Sequence, residues 1–265
     1  MATLPGTVRV ELVKRAGGVV ARVTVDNERK LNTLSSALMV RFVEEIEKLG
    51  SLEALRALVL RGAGRRAFIG GADIVEMSAL DEETARAFIT GVHRCCDCLR
   101  RLDVPVIARI EGYALGAGME IAAACDLRIA AEGAVFGMPE VRLGIPSVVE
   151  AALLPTLIGW GRTRELLFLG QNLSAEEAAR WGLVERVVPP HLLDAAVEEW
   201  LDALFASPPR AIRLQKRLMR EWEELPPAAA VKAGIEAFTD AWRTEEPRTA
   251  MRAFLAAKAA RKRSG

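Results

Sequence analysis

"GYALGAGMEIAAACDLRIA", residues 112–130, is the stretch whose reading decides the fold. Its glycines bracket Ala117, and an apolar run with Glu120 in its first turn follows as far as Cys125. Residues without bulky side chains let a ligand come close to the backbone, and the first amides of a helix have no internal acceptor. A helix is therefore expected to start at Gly116-Ala117-Gly118, with "DLRIA" returning as a strand. Glu120 has two readings: compensation of the helix macrodipole, or a carboxylate set in an apolar wall that raises its pKa.

Upstream, the strand candidate "PVIARIEG" feeds this stretch, and "ALRALVLRG" feeds a similar glycine loop, "GAGRRAFIGGADI", with Gly70-Gly71-Ala72 at an expected helix start. A long helix is predicted over about 82–102. The chain opens with a hairpin, "VRVELVK" and "VVARVTVDN" around Gly17-Gly18, and a helix over 35–49 spaced by Leu38, Phe42, Ile46 and Leu49. Downstream, "DLRIAAEGAVFGMPE" predicts two short strands and a loop carrying Glu140. From Ser147 onward nearly all of the chain is expected to be helical, with breaks marked by Pro155, Gly170, Gly182 and several proline pairs. Alternating strands and helices define an α/β protein with parallel strands and a helical C-terminal section.

Functional groups in such sheets gather at the carboxyl ends of the strands, where both glycine loops lie. Two helix starts aimed at one point would offer two N–H donors to a carbonyl oxygen gaining negative charge. For either loop alone, close helix–sheet packing explains the glycines equally well. Glu120 and Glu140 follow the loops closely, and two neighbouring carboxylates push their titrations apart so that one can act as acid and the other as base. The bland alternative for Glu140 is a solvated loop residue.

Composition narrows the partners. In 265 residues, 36 Lys and Arg face 35 Asp and Glu, which removes any global electrostatic argument for nucleic acid or an anionic membrane. No apolar run is long enough for a membrane span and no secretory signal opens the chain, so a cytoplasmic protein is expected. Cys95, Cys96 and Cys98 crowd one predicted helix beside His93, a poor geometry for disulfides or a metal site; with Cys125 they are expected to be reduced, and no metal is expected.

Other classes compete. "GAGRRA" after "ALVL" matches a dinucleotide-binding glycine pattern, but "RRAFIGGADI" interrupts the helix that pattern requires. The basic helix "RAIRLQKRLMR" offers an RNA-binding or scaffolding role; helical spacing turns Ile212, Leu214 or Leu218 inward and leaves Arg213, Lys216, Arg217 and Arg220 outside as a solvated face.

"AFIGGADI", "GYALGAGMEIAAACDLRIA" and "VFGMPEVRLGI" resemble the signature blocks of the enoyl-CoA hydratase/isomerase (crotonase) family. The likeness runs from about residue 8 to 258 and includes "DNERKLNTL", "AARWGLVERVV" and "FTDAWRTEEPRTAMRAFLAAK". The resemblance implies a crotonase-like spiral of β-β-α units over residues 1–200, carrying the site, and a helical oligomerisation region over 201–265 that builds a homo-trimer or hexamer. It implies an enoyl-CoA hydratase whose only partners are an acyl-CoA thioester and copies of itself, with no cofactor beyond the coenzyme A of the substrate. Carried over residue by residue, the amides of Ala72 and Ala117 form the oxyanion hole, Glu120 activates water for attack at C3, and Glu140 delivers the proton at C2. Gly70, Gly71, Asp73, Ile74, Gly116 and Ser147 line the thioester site. Arg29, Lys30 and Leu31, with Lys258 from the C-terminal helix, are candidates for holding coenzyme A. Relatives that only shift a double bond often keep one acid, so both together favour a hydratase over an isomerase or a thioester hydrolase.

The chain departs from the family after Glu140. Where many relatives carry "PGxGGT", it reads "IPSVVEAALLP", with Ser147, Val149 and Glu150 in the glycine positions. Ser147-x-x-Glu150 matches a capping box, and Glu150 is expected to serve a helix N-terminus there rather than the chemistry.

Overall fold

A computed structural model describes residues 6–264, with side chains described for residues 6–260. Two compact units divide them, one through Leu201 and one from Asp202 onward. The first opens with β1 (Thr7–Arg15) and β2 (Gly18–Asp26), an antiparallel hairpin, followed by α1 (Ser36–Gly50). Ser35 accepts the Leu38 amide at the start of α1, whose Leu38, Phe42, Ile46 and Leu49 are buried.

Three similar turns of chain follow. The first has β3 (Leu55–Gly62), β4 (Ala67–Ile69), the short α2 (Ile74–Met77) and α3 (Glu82–Arg101). The second has β5 (Val106–Ile110), β6 (Tyr113–Leu115) and α4 (Ala117–Ala124); the third has β7 (Leu127–Ala131), β8 (Val135–Gly137) and α5 (Leu154–Leu169). A shorter return adds β9 (Asn172–Ser174), α6 (Ala175–Trp181) and β10 (Arg186–Val188) before α7 (Leu193–Ala206). In each turn one strand joins a six-stranded sheet, ordered β1-β2-β3-β5-β7-β10, and the next joins a four-stranded sheet, ordered β4-β6-β8-β9. All pairings are parallel except β1–β2 and β8–β9. Stacked parallel turns bury both faces of the central strands, so β3 and β5 are buried almost throughout, Arg56 and Arg109 included, rather than on alternate residues.

Two expectations need correction. The region after Ser147 is not wholly helical, because Asn172–Ser174 and Arg186–Val188 extend the two sheets. Three-residue strands bounded by helices leave no period to detect, and their hydrogen bonds come from sheet neighbours, antiparallel β8 for the first and parallel β7 for the second. A third short strand, β6, occupies the segment that leads into Gly116-Ala117-Gly118.

The second unit holds α8 (Pro209–Glu224), α9 (Pro227–Ala241) and α10 (Glu246–Ser264). Prolines at their first positions start α8 and α9, where the missing N–H costs nothing. Arg210 pairs with Asp240 at 2.7 Å, and Trp222 donates its indole N–H to the Ala230 carbonyl at 3.0 Å. Lys216, expected on a solvated face, is buried at 5 % exposure, so α8 does not present the continuous basic face its sequence suggests. No helix among the described residues is long and apolar enough to cross a membrane.

Candidate active site

The site grows from the register of the smaller sheet. β4 and β6 run parallel with Ile69 opposite Ala114, and three residues further along each chain stand Ala72 and Ala117. Gly118 makes the approach possible: a Cβ there would lie 1.9 Å from the Ile69 carbonyl oxygen. The two loops are thus pressed together by a contact that only glycine permits.

The two amides arise differently. Ala117 is the first residue of α4, so its N–H has no partner within the helix. Ala72, expected at a helix start, instead precedes Asp73, the N-cap of α2, and forms an isolated parallel bridge with Leu34. In that bridge Leu34 donates to Gly71 and Asp73 donates to Leu34, which turns the N–H of Ala72 to the other side. Among the described residues neither amide has a backbone acceptor. One helix start and one bridge therefore supply the two donors.

Glu120 projects from the first turn of α4 and is 5 % exposed. Its Oε1 accepts the Ala151 amide at 3.3 Å. Burial pushes its pKa up to about 8; the charges of Glu140 and Glu150 push the same way, while the Ala151 amide opposes them. Macrodipole compensation does not describe a carboxyl whose environment favours its neutral form. Glu140 opens a short 3-10 turn, Glu140–Leu143, and is half-buried. Its Oε2 accepts the Ser147 hydroxyl at 2.8 Å. Its Oε1 lies 2.7 Å from where a Cβ on Gly116 would stand, so the carboxyl rests against the residue just before the Ala117 amide.

The segment carrying Arg29, Lys30 and Leu31 is drawn to the first loop. Leu31 accepts the Gly70 amide at 2.8 Å, and Lys30 pairs with Asp73 at 2.8 Å. The Lys30 hydrogen bond holds the Asp73 carboxyl below the usual carboxylate range. Lys30 is therefore committed to Asp73 in this structure, whereas Arg29 is exposed. Ile74 is 59 % exposed at the start of α2, and Lys258 lies on the exposed α10 of the second unit.

The capping box is not formed. The 3-10 turn Val149–Leu153 begins at Val148 with no side-chain cap; Ser147 serves Glu140, and Glu150 turns inward to Nδ1 of His93 at 2.8 Å. Ser-x-x-Glu spacing gives a box only when the serine occupies the N-cap, and here the turn starts one residue late.

Sequence reasoning missed two polar anchors. Asn32, fully buried, donates from Nδ2 to the Ala63 and Ala67 carbonyls at 2.9 and 2.8 Å and accepts the Asn27 amide. It bolts the Arg29–Leu31 segment to the first glycine loop. His93 was weighed only as a metal ligand; the described residues hold no metal-binding cluster of three or more His, Cys, Asp or Glu. A cleft of about 630 Å³ opens beside Ser147, walled by Val148, Val149, Trp160, Thr163 and Leu167. A larger groove of about 1060 Å³, between α1 and α3, contains none of these site residues.

Stacked β-β-α turns, with one strand of each turn in either sheet, are the architecture of the fold, and the loops that carry the Ala72 and Ala117 amides lie side by side in it. The chain belongs to the enoyl-CoA hydratase/isomerase family, whose model matches residues 15–261. It is 36 % identical over 239 residues to the short-chain-enoyl-CoA hydratase of Clostridium acetobutylicum, covering 90 % of this chain and 92 % of that one. It is 32 % identical over 232 residues to the crotonyl-CoA hydratase of Syntrophomonas wolfei, covering 87 % and 89 %. An enoyl-CoA hydratase structure from Bacillus anthracis superposes with a TM-score of 0.88 at 33 % identity, over 93 % of this chain and 96 % of that one. The expected crotonase fold is the observed one.

Proposed function

We propose that the protein is an enoyl-CoA hydratase that adds water reversibly across the 2,3-double bond of a 2-enoyl-CoA to give a 3-hydroxyacyl-CoA. The observation that supports this reading is that Glu120 lies on the helix that Ala117 opens and Glu140 rests against Gly116, while the Ala72 and Ala117 amides have no backbone acceptor among the described residues. The Ala72 and Ala117 amides bind the thioester oxygen, whose negative charge grows as water attacks C3. Glu120 takes the proton of that water, and Glu140 delivers a proton to C2. Each turnover leaves the proton of water on Glu120 and takes one from Glu140, and its return from Glu120 to Glu140, directly or through solvent, restores the site, so one water is consumed with no further cofactor.

Burial favours the protonated form of Glu120 in the ligand-free protein. Dehydration starts from that form, with Glu120 protonating the departing hydroxyl and Glu140 taking the C2 proton. Hydration starts with the proton on Glu140 instead. A single proton shared by the pair serves both directions.

The name of the Syntrophomonas relative and the branched Val149 that walls the cleft beside Ser147 support a short acyl chain. Arg29, and Lys258 from the C-terminal helix, are the cations proposed for coenzyme A, with Lys30 acting through Asp73. The same reading extends to a cytoplasmic homo-trimer or hexamer. Exposed Val231, Ile235, Phe238, Phe254 and Leu255 on α9 and α10 support burial of that face by copies of the chain. The test is to offer crotonyl-CoA and follow both the conjugated enoyl absorbance and free thiol. Loss of absorbance without thiol release is expected; thiol release at the same rate would replace hydration with thioester hydrolysis.

A further inference from the structure

The segment after Glu140 carries a carboxylate that the hydration chemistry does not use. Glu150 is 7 % exposed; its Oε1 accepts from Nδ1 of His93 on α3 at 2.8 Å, and among the described residues its carboxyl is otherwise faced by the Cys96 thiol. Val149, immediately before it, holds φ at 40°, a left-handed conformation that a β-branched residue adopts only when its surroundings impose it. The turn directs Glu150 inward, and the next residue, Ala151, points its amide at Oε1 of Glu120. One short turn is therefore tied to α3 through one residue and to the α4 carboxyl through the next.

We infer that Glu150, gripped by His93, is a positioning residue for Glu120: it fixes the turn that presents the Ala151 amide and places a second negative charge near the first carboxyl. The kinetic part rests on the hydratase reading. The titratable groups that face this pair are Glu140 from the turn after β8, and His93, Cys95 and Cys96 from α3. Burial pushes the Cys95 thiol up to about 12 and raises that of Cys96, so both stay neutral and the carboxyls and imidazole set the local charge.

Glu150→Gln keeps the volume and an acceptor for His93 while removing the charge. The acidic limb of kcat for crotonyl-CoA hydration should move to lower pH, with KM held within about twofold. Glu150→Ala also removes the anchor and should lower kcat about tenfold, a loss that glutamine largely restores and that His93→Ala reproduces. An infrared titration of the carboxyl band that disappears in Glu120→Gln follows Glu120 without turnover, and it too should move to lower pH in Glu150→Gln. An unmoved limb and band in folded Glu150→Gln protein, or an alanine variant that melts early but turns over at the parent rate, would overturn the inference. Failure of the unaltered protein to hydrate crotonyl-CoA sinks the hydratase reading instead and leaves the infrared titration to decide this one.

Discussion

Glu120 and Glu140 are the same residue type twenty positions apart, yet they live in different surroundings. Glu120 sits in a helix wall of small apolar residues and receives a single amide, and burial makes its charge costly. Glu140 sits in a half-buried 3-10 turn, receives a serine hydroxyl, and leans on a glycine where any side chain would intrude. The difference teaches that a fold can divide acid and base duties between two identical groups by placement alone.

The strongest way to break this comparison is to neutralise each carboxyl in turn. Glu120→Gln and Glu140→Gln should each lower kcat for crotonyl-CoA by about 100- to 10,000-fold, the usual value of a positioned proton-transfer group, while acyl-CoA binding by calorimetry survives. Substantial activity in either variant would sink the assignment of both acids to the hydration step.

A second prediction sharpens the contrast through stability. The folded pKa of Glu120 is raised to about 8, above its ordinary value, so between the two the native state holds more protons than the unfolded one. Its ionisation therefore costs stability, and the cost grows as pH rises from about 4.5 through about 8. Melts should show Glu120→Gln gaining little over the parent near pH 4 and most at about pH 8 to 9. Glu140→Gln, which removes one of the charges raising Glu120, should weaken this dependence without abolishing it. Parallel stability curves for Glu120→Gln and the parent across the range would refute the buried-charge account.

The smallest expected effect is at Ser147, whose hydroxyl orients Glu140 at 2.8 Å. Losing one hydrogen bond to a charged group should lower kcat by about three- to tenfold in Ser147→Ala, with KM nearly constant. A change confined to KM would assign Ser147 to substrate contact instead.

Much of this arrangement is legible in the residues. The glycine stretches mark where the turns press together, because a Cβ at position 118 would collide with a neighbouring carbonyl, and local signals suffice to place α1, α3 and α4. What escapes is whatever depends on partners distant in sequence. β6, β9 and β10 are three residues long and exist because neighbouring strands hold them, parallel for β6 and β10 and antiparallel for β9. The Ala72 amide is freed by a bridge to Leu34, thirty-eight positions earlier, not by a helix. Ser147-x-x-Glu150 has the spacing of a cap, and only the left-handed backbone of Val149 sends Glu150 toward His93.

The four cysteines carry a separate consequence. Cys95, Cys96, Cys98 and Cys125 are free and buried, three of them on the helix that carries His93. A thiol that is both unreachable and held neutral reacts with an alkylating reagent only when its surroundings open. The rate at which mass is added at Cys95, Cys96 and Cys98 of the native chain is therefore a clock for the opening of α3 from α1 and α4, built into the molecule and readable without any introduced label.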